Sequence, residues 1–492
     1  MSAEHIELRA GAYADSVALM QVSAAAAKAA GVEAALIAMA TELNLGLLAG
    51  MGFQAPPTQA DPNDLLIAVR ASDAGALAAA RDLVDAALTA RPAARPGELP
   101  AQPPRTVASA VRASGPGLAL ISVPGRFAFA EAMDALQAGC DVMIFSDNVP
   151  VGQEIVLKDL AADRGLLVMG PDCGTAVVGG VGLGFSHTLA AGPVGIVAAS
   201  GTGAQQVNCL LDHAGVGVSA CLGLGGRDLS ADVGGRSART ALTALDEDPG
   251  TELILIVSKP PAPAVAARLR DYARALSTPV QFALVAPGEP DLTAATETAL
   301  RTVGVPAPAW PRWPAAGSAT QAEQTRGGWL RGLFAGGTLC DEAMVIASAA
   351  LGPVWSNIPL QPDWRIDPAT TADGHSMIDF GDDRLTAGRA HPMIDQTLRL
   401  EQLAAAAADP ATAVILLDVV LGHGAHPDPA AELGPAISAA RARSGVPVVA
   451  ALIGAASDPQ GLERQAHALQ GAGAHVFLSN AQAARFACEL IT

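Results

Sequence analysis

The 492-residue chain has few basic side chains and no long apolar segment. It carries 30 lysine and arginine residues against 48 aspartate and glutamate residues, for a formal net charge of −18. Binding to a polyanion needs a basic surface, so this balance argues against a nucleic-acid-binding protein and against one that binds anionic membranes. No apolar stretch of about 20 residues is free of glycine, proline or charge, and the sequence therefore predicts no membrane span.

The chain also has only three lysines and no closely paired cysteines. The lysines are Lys28, Lys158 and Lys259, so contacts to an anionic ligand would fall mostly to arginine or to backbone amides. The six cysteines form no C-x-x-C pair, which argues against a zinc knuckle and a dithiol redox motif. The first residues show no apolar core of a signal peptide, and we expect a cytoplasmic protein.

Linker composition divides the sequence into several α/β domains. Two stretches rich in proline and glycine are typical of linkers, the second of them flexible. Elsewhere apolar strands alternate with helices, the pattern of doubly wound parallel sheets covered on both faces. The predicted segments are a small α/β unit (1–90), a linker (91–105), a first Rossmann-like unit (106–190), a second α/β domain (191–304), a linker (305–328) and a third α/β domain (329–492).

Four of the apolar strands end in a glycine cluster that opens a helix-like segment. They lie at 194–207, 219–230, 330–343 and 414–430. A helix N-terminus presents unpaired N–H groups at the positive end of the helix dipole, which suits an anion. In parallel sheets, ligands bind outside the carboxyl ends of the strands, where all four turns fall. The repetition favours phosphate or acyl-phosphate chemistry.

The turn ASGTG contains Ser200, Gly201, Thr202 and Gly203. Its glycines allow close backbone approach, and its hydroxyls can cap the helix or donate to a phosphate oxygen. An ordinary capped helix start explains the same residues equally well. The turn matches neither the P-loop nor the dinucleotide fingerprint, so no nucleotide site follows from it.

The turn GLGGRD places Arg227 after Gly225 and Gly226. An arginine there could clamp a phosphate or carboxylate with two hydrogen bonds, or form a local salt bridge with Asp228 that holds the turn. Both alternatives remain open at this point.

The turn GHGAHPD spaces His423 and His426 like a pair of metal ligands. The sequence supplies no third ligand there, and we expect no metal site. An imidazole that faces an anion and a structural histidine are both compatible with the pattern.

Three other residues could carry chemistry. Asp379, the first acid of DFGDD, could orient a substrate amine, help to hold Mg²⁺ or cap a turn. Lys259 closes a strand and either contacts an anion or extends into solvent. Cys173 lies in the tight turn GPDCG and has no adjacent general base, so a nucleophilic role is not expected.

In order along the chain, these motifs resemble two subunits of one enzyme. The segments IFSDNVPVGQEIVLKDLAADRGLLVMGPDCGT, GIVAASGTG and LGLGGRDLSADVGG resemble the α subunit of succinyl-CoA synthetase. The segments HSMIDFGDDRLTAGRAHPMIDQTLRLEQL, VILLDVVLGHGAHPDPA and VPVVAALIG resemble the carboxyl-terminal ligase domain of its β subunit. The FdrA family, in which both pieces are fused behind a short α/β unit, is the most similar, because VSKPP, GGTLCDEA and HPMID recur there in this order.

The resemblance implies a reduced CoA-binding-like Rossmann domain at 106–190, an α-type ligase domain at 191–304 and a β-type ligase domain at 329–492. The synthetase carries a phosphorylated histidine in a segment that corresponds here to 287–304, which contains no histidine. Residues 1–90 are too short for its nucleotide-binding domain. ATP-driven acyl-CoA synthesis is therefore not expected, and neither is bound CoA or another cofactor.

FdrA-type proteins imply a subunit of oxamate carbamoyltransferase in allantoin and purine nitrogen catabolism, with further subunits as partners. That reaction interconverts oxalurate plus phosphate with oxamate plus carbamoyl phosphate. We expect carbamoyl phosphate between Ser200–Gly203 and Gly422–Gly424, with Arg227 and Thr338 as secondary contacts. A divergent acyl-CoA ligase and a non-catalytic assembly or regulatory subunit are the alternatives. The candidate binding residues are Ser200, Gly201, Thr202, Gly203, Gly225, Gly226, Gly337, Thr338, Gly422 and Gly424, and the candidate catalytic residues are Arg227, Lys259, His423 and Asp379.

Overall fold

The computed structural model describes residues 2–12, 16–89, 104, 106–315, 327–368, 370, 372–386 and 390–492. The chain divides into two compact units, the first made mainly of residues 1–104 and the second of nearly all later residues. The linker predicted at 91–105 lies almost wholly outside the described residues. Within the described ranges, no helix combines the length and hydropathy that a bilayer-crossing segment requires.

The first unit is a three-stranded antiparallel sheet with helices on its faces. Its central strand β3 is buried on both faces, which explains the unbroken apolar run LLIAV. The sheet order is β1-β3-β2. One helix, α2, was not predicted from the sequence. The elements are β1 (Ala3–Arg9), α1 (Ser16–Ala27), β2 (Val32–Met39), α2 (Glu42–Gly50), β3 (Leu65–Ala71) and α3 (Ala74–Thr89).

The second unit begins with a small parallel sheet of order β4-β5-β6. Apolar side chains of its helices pack on the strands, among them Leu136 and Leu157, which are fully buried. The elements are α4 (Val107–Ser114), β4 (Leu118–Ile121), α5 (Gly125–Gln137), β5 (Asp141–Ile144), α6 (Val151–Asp163) and β6 (Val168–Met169).

A six-stranded sheet of order β12-β11-β9-β10-β7-β8 follows. Its strands β9 to β12 are parallel, as predicted for a doubly wound domain. The antiparallel hairpin β7–β8 was not predicted, and it joins this sheet because Val177 pairs with Cys221. This pairing corrects the boundary predicted at 190/191, since the sheet already begins at Thr175. The elements are β7 (Thr175–Val178), β8 (Val181–Gly184), β9 (Ala191–Ala199), α7 (Gly201–His213), β10 (Val218–Gly223), α8 (Arg236–Asp246), β11 (Leu253–Ser258), α9 (Pro263–Ala273), β12 (Val280–Leu284) and α10 (Leu292–Thr302).

The last sheet has seven strands in the order β13-β19-β18-β17-β14-β16-β15, with only β13 antiparallel. A short 3₁₀ helix spans Pro362–Trp364. The elements are β13 (Arg312–Trp313), β14 (Trp329–Phe334), α11 (Gly337–Leu351), β15 (Val354–Trp355), β16 (His375–Asp379), α12 (Asp383–Thr386), α13 (Thr397–Ala408), β17 (Thr412–Val420), α14 (Pro429–Ser444), β18 (Val448–Ile453), α15 (Leu462–Gly471), β19 (Ala474–Phe477) and α16 (Asn480–Glu489).

Part of the linker predicted at 305–328 is ordered structure. Trp310 and Trp313 are buried, and their indole N–H groups donate to Glu297 and Glu463. Two buried aromatic side chains with satisfied N–H groups hold this segment against both large sheets, which corrects the flexible assignment for 305–315. Residues 316–326 lie outside the described part of the chain.

Candidate functional site

The two large sheets each reverse their strand order beside their first long strand. In the six-stranded sheet β9 lies between β10 and β11, and in the seven-stranded sheet β14 lies between β16 and β17. The crevice at such a reversal is where doubly wound sheets bind ligands. The helices that begin at these two points are α7 and α11, which pack against each other.

The start of α7 is capped by Ser200. Its Oγ accepts a hydrogen bond from the amide of Gly203 at 3.1 Å and donates one to Thr338 Oγ1 at 2.7 Å. The first amides of a helix have no partner within it, so those of Gly201 and Thr202 remain available for a ligand. Gly201 is exposed and Thr202 half-buried, so solvent reaches this helix start.

The start of α11 lies directly against the start of α7. A Cβ atom on Gly336 would come within 2.7 Å of the Thr202 side chain, so only glycine permits this approach. The Asp418 carboxylate accepts the amides of Ala335 and Gly336 at 2.7 and 2.8 Å, and Arg399 pairs with Asp418 at 3.1 Å. Two amides ahead of α11 are therefore already satisfied, which leaves the amide groups from Gly337 onward.

A lysine and two carboxylates surround Gly337. Lys259 follows β11, next to the end of β9, and its Nζ lies 3.1 Å from Asp341. A Cβ on Gly337 would lie 2.7 Å from Asp379 Oδ2 and 3.0 Å from Lys259 Nζ, so these two charged groups share one small space. The Lys259 side chain is 38% exposed, so it is accessible to a ligand.

Burial changes the protonation of this cluster. Burial raises the pKa of Asp379 to about 7, although the Lys259 ammonium works against the shift. Burial also raises the pKa of Asp341, again opposed by Lys259. For Lys259 itself, burial lowers the pKa, but the Asp341 and Asp379 carboxylates more than offset it, so the net shift is upward. Carboxyls with raised pKa values beside a fixed cation are typical of functional sites.

His391 belongs to the same cluster and was not predicted as a site residue. Its Nε2 would lie 2.9 Å from a Cβ placed on Gly381, and Asp379 Oδ1 would lie 3.1 Å from the same point. Burial and the Arg399 charge lower the pKa of His391 to about 4, so the imidazole is neutral at pH 7. His391 is the first residue of the motif HPMID. No local sequence pattern shows that this motif lies close to Asp379 in the fold.

The turn at Gly422–Gly424, predicted as the partner of ASGTG, does not itself open a helix. Two of its amides are occupied, because Gly422 donates to Gln460 Oε1 at 3.0 Å and His423 donates to the Ser186 carbonyl at 2.7 Å. The helix α14 begins only at Pro429. These contacts do not support the expected cradle for carbamoyl phosphate between Ser200–Gly203 and Gly422–Gly424, and the helix start that Ser200 contacts carries Thr338.

His423 and His426 make separate structural contacts. His423 Nε2 lies 3.1 Å from Thr188 Oγ1, and His426 pairs with Glu432 at 3.2 Å. No group of three or more metal-ligating side chains occurs in the part of the chain that the structure describes.

The turn GLGGRD does not open a helix, because α8 begins only at Arg236. A Cβ on Gly225 would lie 2.0 Å from the Pro171 carbonyl oxygen, so this glycine packs against a neighbouring loop. Arg227 donates to the Val149 carbonyl at 2.8 Å and pairs with Glu154 at 3.0 Å. Arg227 therefore contacts the segment of the small parallel sheet, while its predicted partner Asp228 pairs with Lys158 at 2.8 Å. The Arg227 side chain is 46% exposed, and a contact to a phosphate or carboxylate ligand stays a prediction.

Cys173 is buried, and burial raises the pKa of its thiol to about 12. A thiol that retains its proton is a poor nucleophile, in agreement with the expectation from the sequence.

A cavity of about 400 Å³ lies on another side of α11, between Glu342 and Arg485, and shares no lining residue with the cluster at Gly337.

Family models match two parts of the chain. The model described as CoA-ligase matches residues 333–490, and the model described as AllF, heavy metal-associated domain, matches residues 1–103. Thiolates are the ligands that soft metals prefer, and the first cysteine of the sequence is Cys140. Residues 1–103 therefore do not fit a thiolate-bound heavy metal.

The fold and the paired helix starts define an α/β protein of several parallel-sheet domains that includes a CoA-ligase domain. The chain is 38% identical over 510 residues to the uncharacterized protein YahF of Escherichia coli (strain K12), a match that covers 99% of this chain and 98% of YahF. It therefore belongs to the same family as YahF.

The chain is also similar, at lower identity, to enzymes of known type. The α subunit of ADP-forming succinate–CoA ligase from Aquifex aeolicus (strain VF5) is 31% identical over 160 residues, which is 31% of this chain and 51% of that subunit. A solved structure of the dinucleotide-forming acetyl-coenzyme A synthetase 1 from Ca. Korarchaeum cryptofilum, in complex with phosphate and ADP, aligns at 16% identity over 76% of this chain and 82% of that one. Its TM-score of 0.28 is too low to support an argument.

Proposed function

We propose that this protein is an FdrA-type enzyme subunit that transfers a carbamoyl group between phosphate and oxamate. The observation that carries the proposal is the contact between the starts of α7 and α11, with Lys259 beside them. Two helix N-termini and one ammonium group concentrate positive potential at a point that solvent reaches, which suits a phosphate group. The match to the AllF-described domain supports a role in allantoin-related catabolism.

The carboxylates of the cluster are compatible with a phosphate ligand. Asp418 pairs with Arg399, and Lys259 contacts Asp341 at 3.1 Å while its own side chain stays 38% exposed to a ligand. The remaining acid, Asp379, has a pKa raised to about 7 and so can exchange a proton with hydrogen phosphate at neutral pH. In this arrangement the amides of Gly201 and Thr202, together with Lys259, hold the phosphate oxygens.

We assign Asp379 the role of proton carrier. A phosphate oxygen attacks the carbamoyl carbon of oxalurate while the ionised Asp379 takes the phosphate proton. The bond from this carbon to the oxamate nitrogen then breaks, and the nitrogen takes that proton from Asp379. The products are carbamoyl phosphate and oxamate, with no nucleotide, metal or redox group consumed. A carboxyl with a pKa near 7 is better suited to this transfer than one near 4.

Two further parts of the proposal concern ligands and partners. We propose that the transferase acts without CoA and with other subunits in a hetero-oligomer, in the cytoplasm. An acyl-CoA ligase is the second candidate, favoured by the match of the CoA-ligase model to residues 333–490. Binding of CoA measured by calorimetry separates the two candidates.

The experiment measures phosphorolysis of oxalurate by the full chain, alone and with the proteins encoded beside its gene. Ser200→Ala removes the contact between the helix starts. Ser479→Ala is a matched control, because Ser479 caps α16 through Gln482 at 3.1 Å and contacts Thr293 Oγ1 at 2.7 Å, the same two distances.

We expect carbamoyl phosphate and oxamate as products, and we expect phosphate to raise the melting temperature of the chain. Ser200→Ala should weaken both effects more than Ser479→Ala does. No activity in any combination, or equal effects of the two substitutions, would contradict the proposal.

A further inference from the structure

The imidazole of His391 lies beside Asp379, the proton carrier of the proposed reaction. Its Nε2 and Asp379 Oδ1 both lie about 3 Å from the position that a Cβ on Gly381 would take, beside the Ala335 carbonyl that precedes α11. The side chain is half-buried and packs against Phe185 at a ring distance of 5.5 Å. No hydrogen-bond partner of Nε2 lies among the residues that the structure describes.

A backbone contact determines which nitrogen carries the proton. The amide of Met393 donates to His391 Nδ1 at 3.2 Å, so Nδ1 acts as the acceptor. In a neutral imidazole the other nitrogen then carries the hydrogen, and Nε2–H is a donor. The nearby Arg399 charge and the burial of the ring favour this neutral form.

We infer that His391 Nε2–H donates a hydrogen bond to the carbonyl oxygen of the carbamoyl group, which makes His391 a catalytic residue. The inference rests on the proposed function. A donor aimed at this oxygen stabilises the negative charge that develops on it when phosphate attacks the carbon.

The neighbourhood selects a carbonyl oxygen over a second anion. The Asp379 carboxylate lies on the same side of Gly381 and would repel a negatively charged group there. A neutral carbonyl oxygen needs a hydrogen-bond donor and tolerates a nearby carboxylate that accepts from the adjacent carbamoyl NH₂. In this arrangement His391 binds the carbonyl oxygen, and Lys259 and the two helix starts bind the phosphate.

The test compares two substitutions in the complete enzyme with its partner subunits. His391→Phe keeps an aromatic ring against Phe185 but has no donor, whereas His391→Gln keeps an N–H donor of similar reach. His467→Gln, on the exposed face of α15, is the control. We expect His391→Phe to lower kcat for oxalurate phosphorolysis by about 10²-fold, the effect of losing one oxyanion donor, with KM changed far less. His391→Gln should recover part of the loss.

A second measurement follows ligand binding in the unmodified protein and uses a variant only to assign the His391 signal. In protein labelled with ¹⁵N-histidine, the Nε2–H resonance that His391→Gln removes should shift when oxalurate, which carries the carbamoyl group, is added without phosphate. Full activity of His391→Phe, or an unchanged resonance while oxalurate binding is demonstrated by calorimetry, would overturn the inference and leave the proposed function standing. Absence of both phosphate binding and phosphorolysis in the unmodified protein would overturn the proposed function and this inference with it.

Discussion

Ser200 and Thr338, 138 residues apart in the sequence, share a hydrogen bond of 2.7 Å between their hydroxyl oxygens. Each lies in the first turn or cap of a helix that follows the first long strand of its sheet. The two helix dipoles therefore present their positive ends at one place. Lys259, Asp379 and His391 surround that place, and the predictions below test what they do there.

Gly336→Ala should separate the two helix starts. Its Cβ would meet the Thr202 side chain at 2.7 to 2.9 Å, closer than such atoms approach, so α7 and α11 must move apart. We expect the variant to lose most of the rise in melting temperature that phosphate produces. Gly471→Ala, which has open space around its Cβ, is the control. Equal phosphate stabilisation of both variants would contradict the predicted role of this contact.

Lys259→Met should weaken phosphate binding and remove the positive charge beside Asp341 and Asp379. The Lys259 charge lowers the pKa values of Asp341 and Asp379, so its removal raises both further above their usual range. We expect about a tenfold or greater loss of phosphate affinity by calorimetry, since a charge-assisted hydrogen bond contributes about 1.5–3 kcal/mol. Lys28→Met, which changes the net charge equally in the first unit, should bind phosphate like the unmodified chain.

The transfer from carbamoyl phosphate to oxamate should become faster as pH rises through about 7. Asp379 must be ionised to accept the proton of the attacking nitrogen, and burial raises its pKa to about 7. Below that pH the carboxyl is protonated and kcat/KM falls. Measured from pH 5.5 to 9, the profile should show one ascending limb that Asp379→Asn abolishes together with most of the activity. A profile that is flat in this range would rule out Asp379 as the proton carrier.

Lys158→Met should destabilise the second unit. The Lys158 ammonium is fully buried and pairs with Glu154 and Asp228 at 2.8 Å each, so its loss leaves Asp228 without its cationic partner and Glu154 with Arg227 alone. Breaking a buried pair in this way costs about 3–5 kcal/mol of unfolding free energy. Arg274→Met breaks the exposed pair with Asp271 and should cost less than about 1 kcal/mol. Urea unfolding followed by circular dichroism compares the two variants.

The parallel-sheet architecture could be predicted because strands buried on both faces leave a local signature. The run ILIV within β11 is fully buried in the structure. The hairpin β7–β8 was missed, although Gly179 and Gly180 both have positive φ at its turn. A Gly-Gly pair between two short apolar runs is a recognised hairpin signal and could have identified it.

The site was predicted only in part. Ser200, Thr338, Lys259 and Asp379 were all candidates and lie together, but Gly422 was paired with Ser200 in place of Gly336. Glycine turns look alike in sequence, and what distinguishes them is whether their amides find partners. The amide of Gly422 donates to Gln460, and the amide of His423 donates to the Ser186 carbonyl. Each acceptor lies far from its donor in the sequence, so no local pattern shows that these amides are occupied.

The sequence by itself determined the α/β class and the helix starts that follow β9 and β14, because periodicity, glycine and capping hydroxyls act over a few residues. The tertiary structure alone decided which helix start faces Ser200, because that depends on how two sheets pack. It also decided the protonation of Asp379 and His391, since burial and neighbouring charges set a pKa. The chemistry at this site thus depends on contacts between separate segments of the chain, such as that of Ser200 with Thr338.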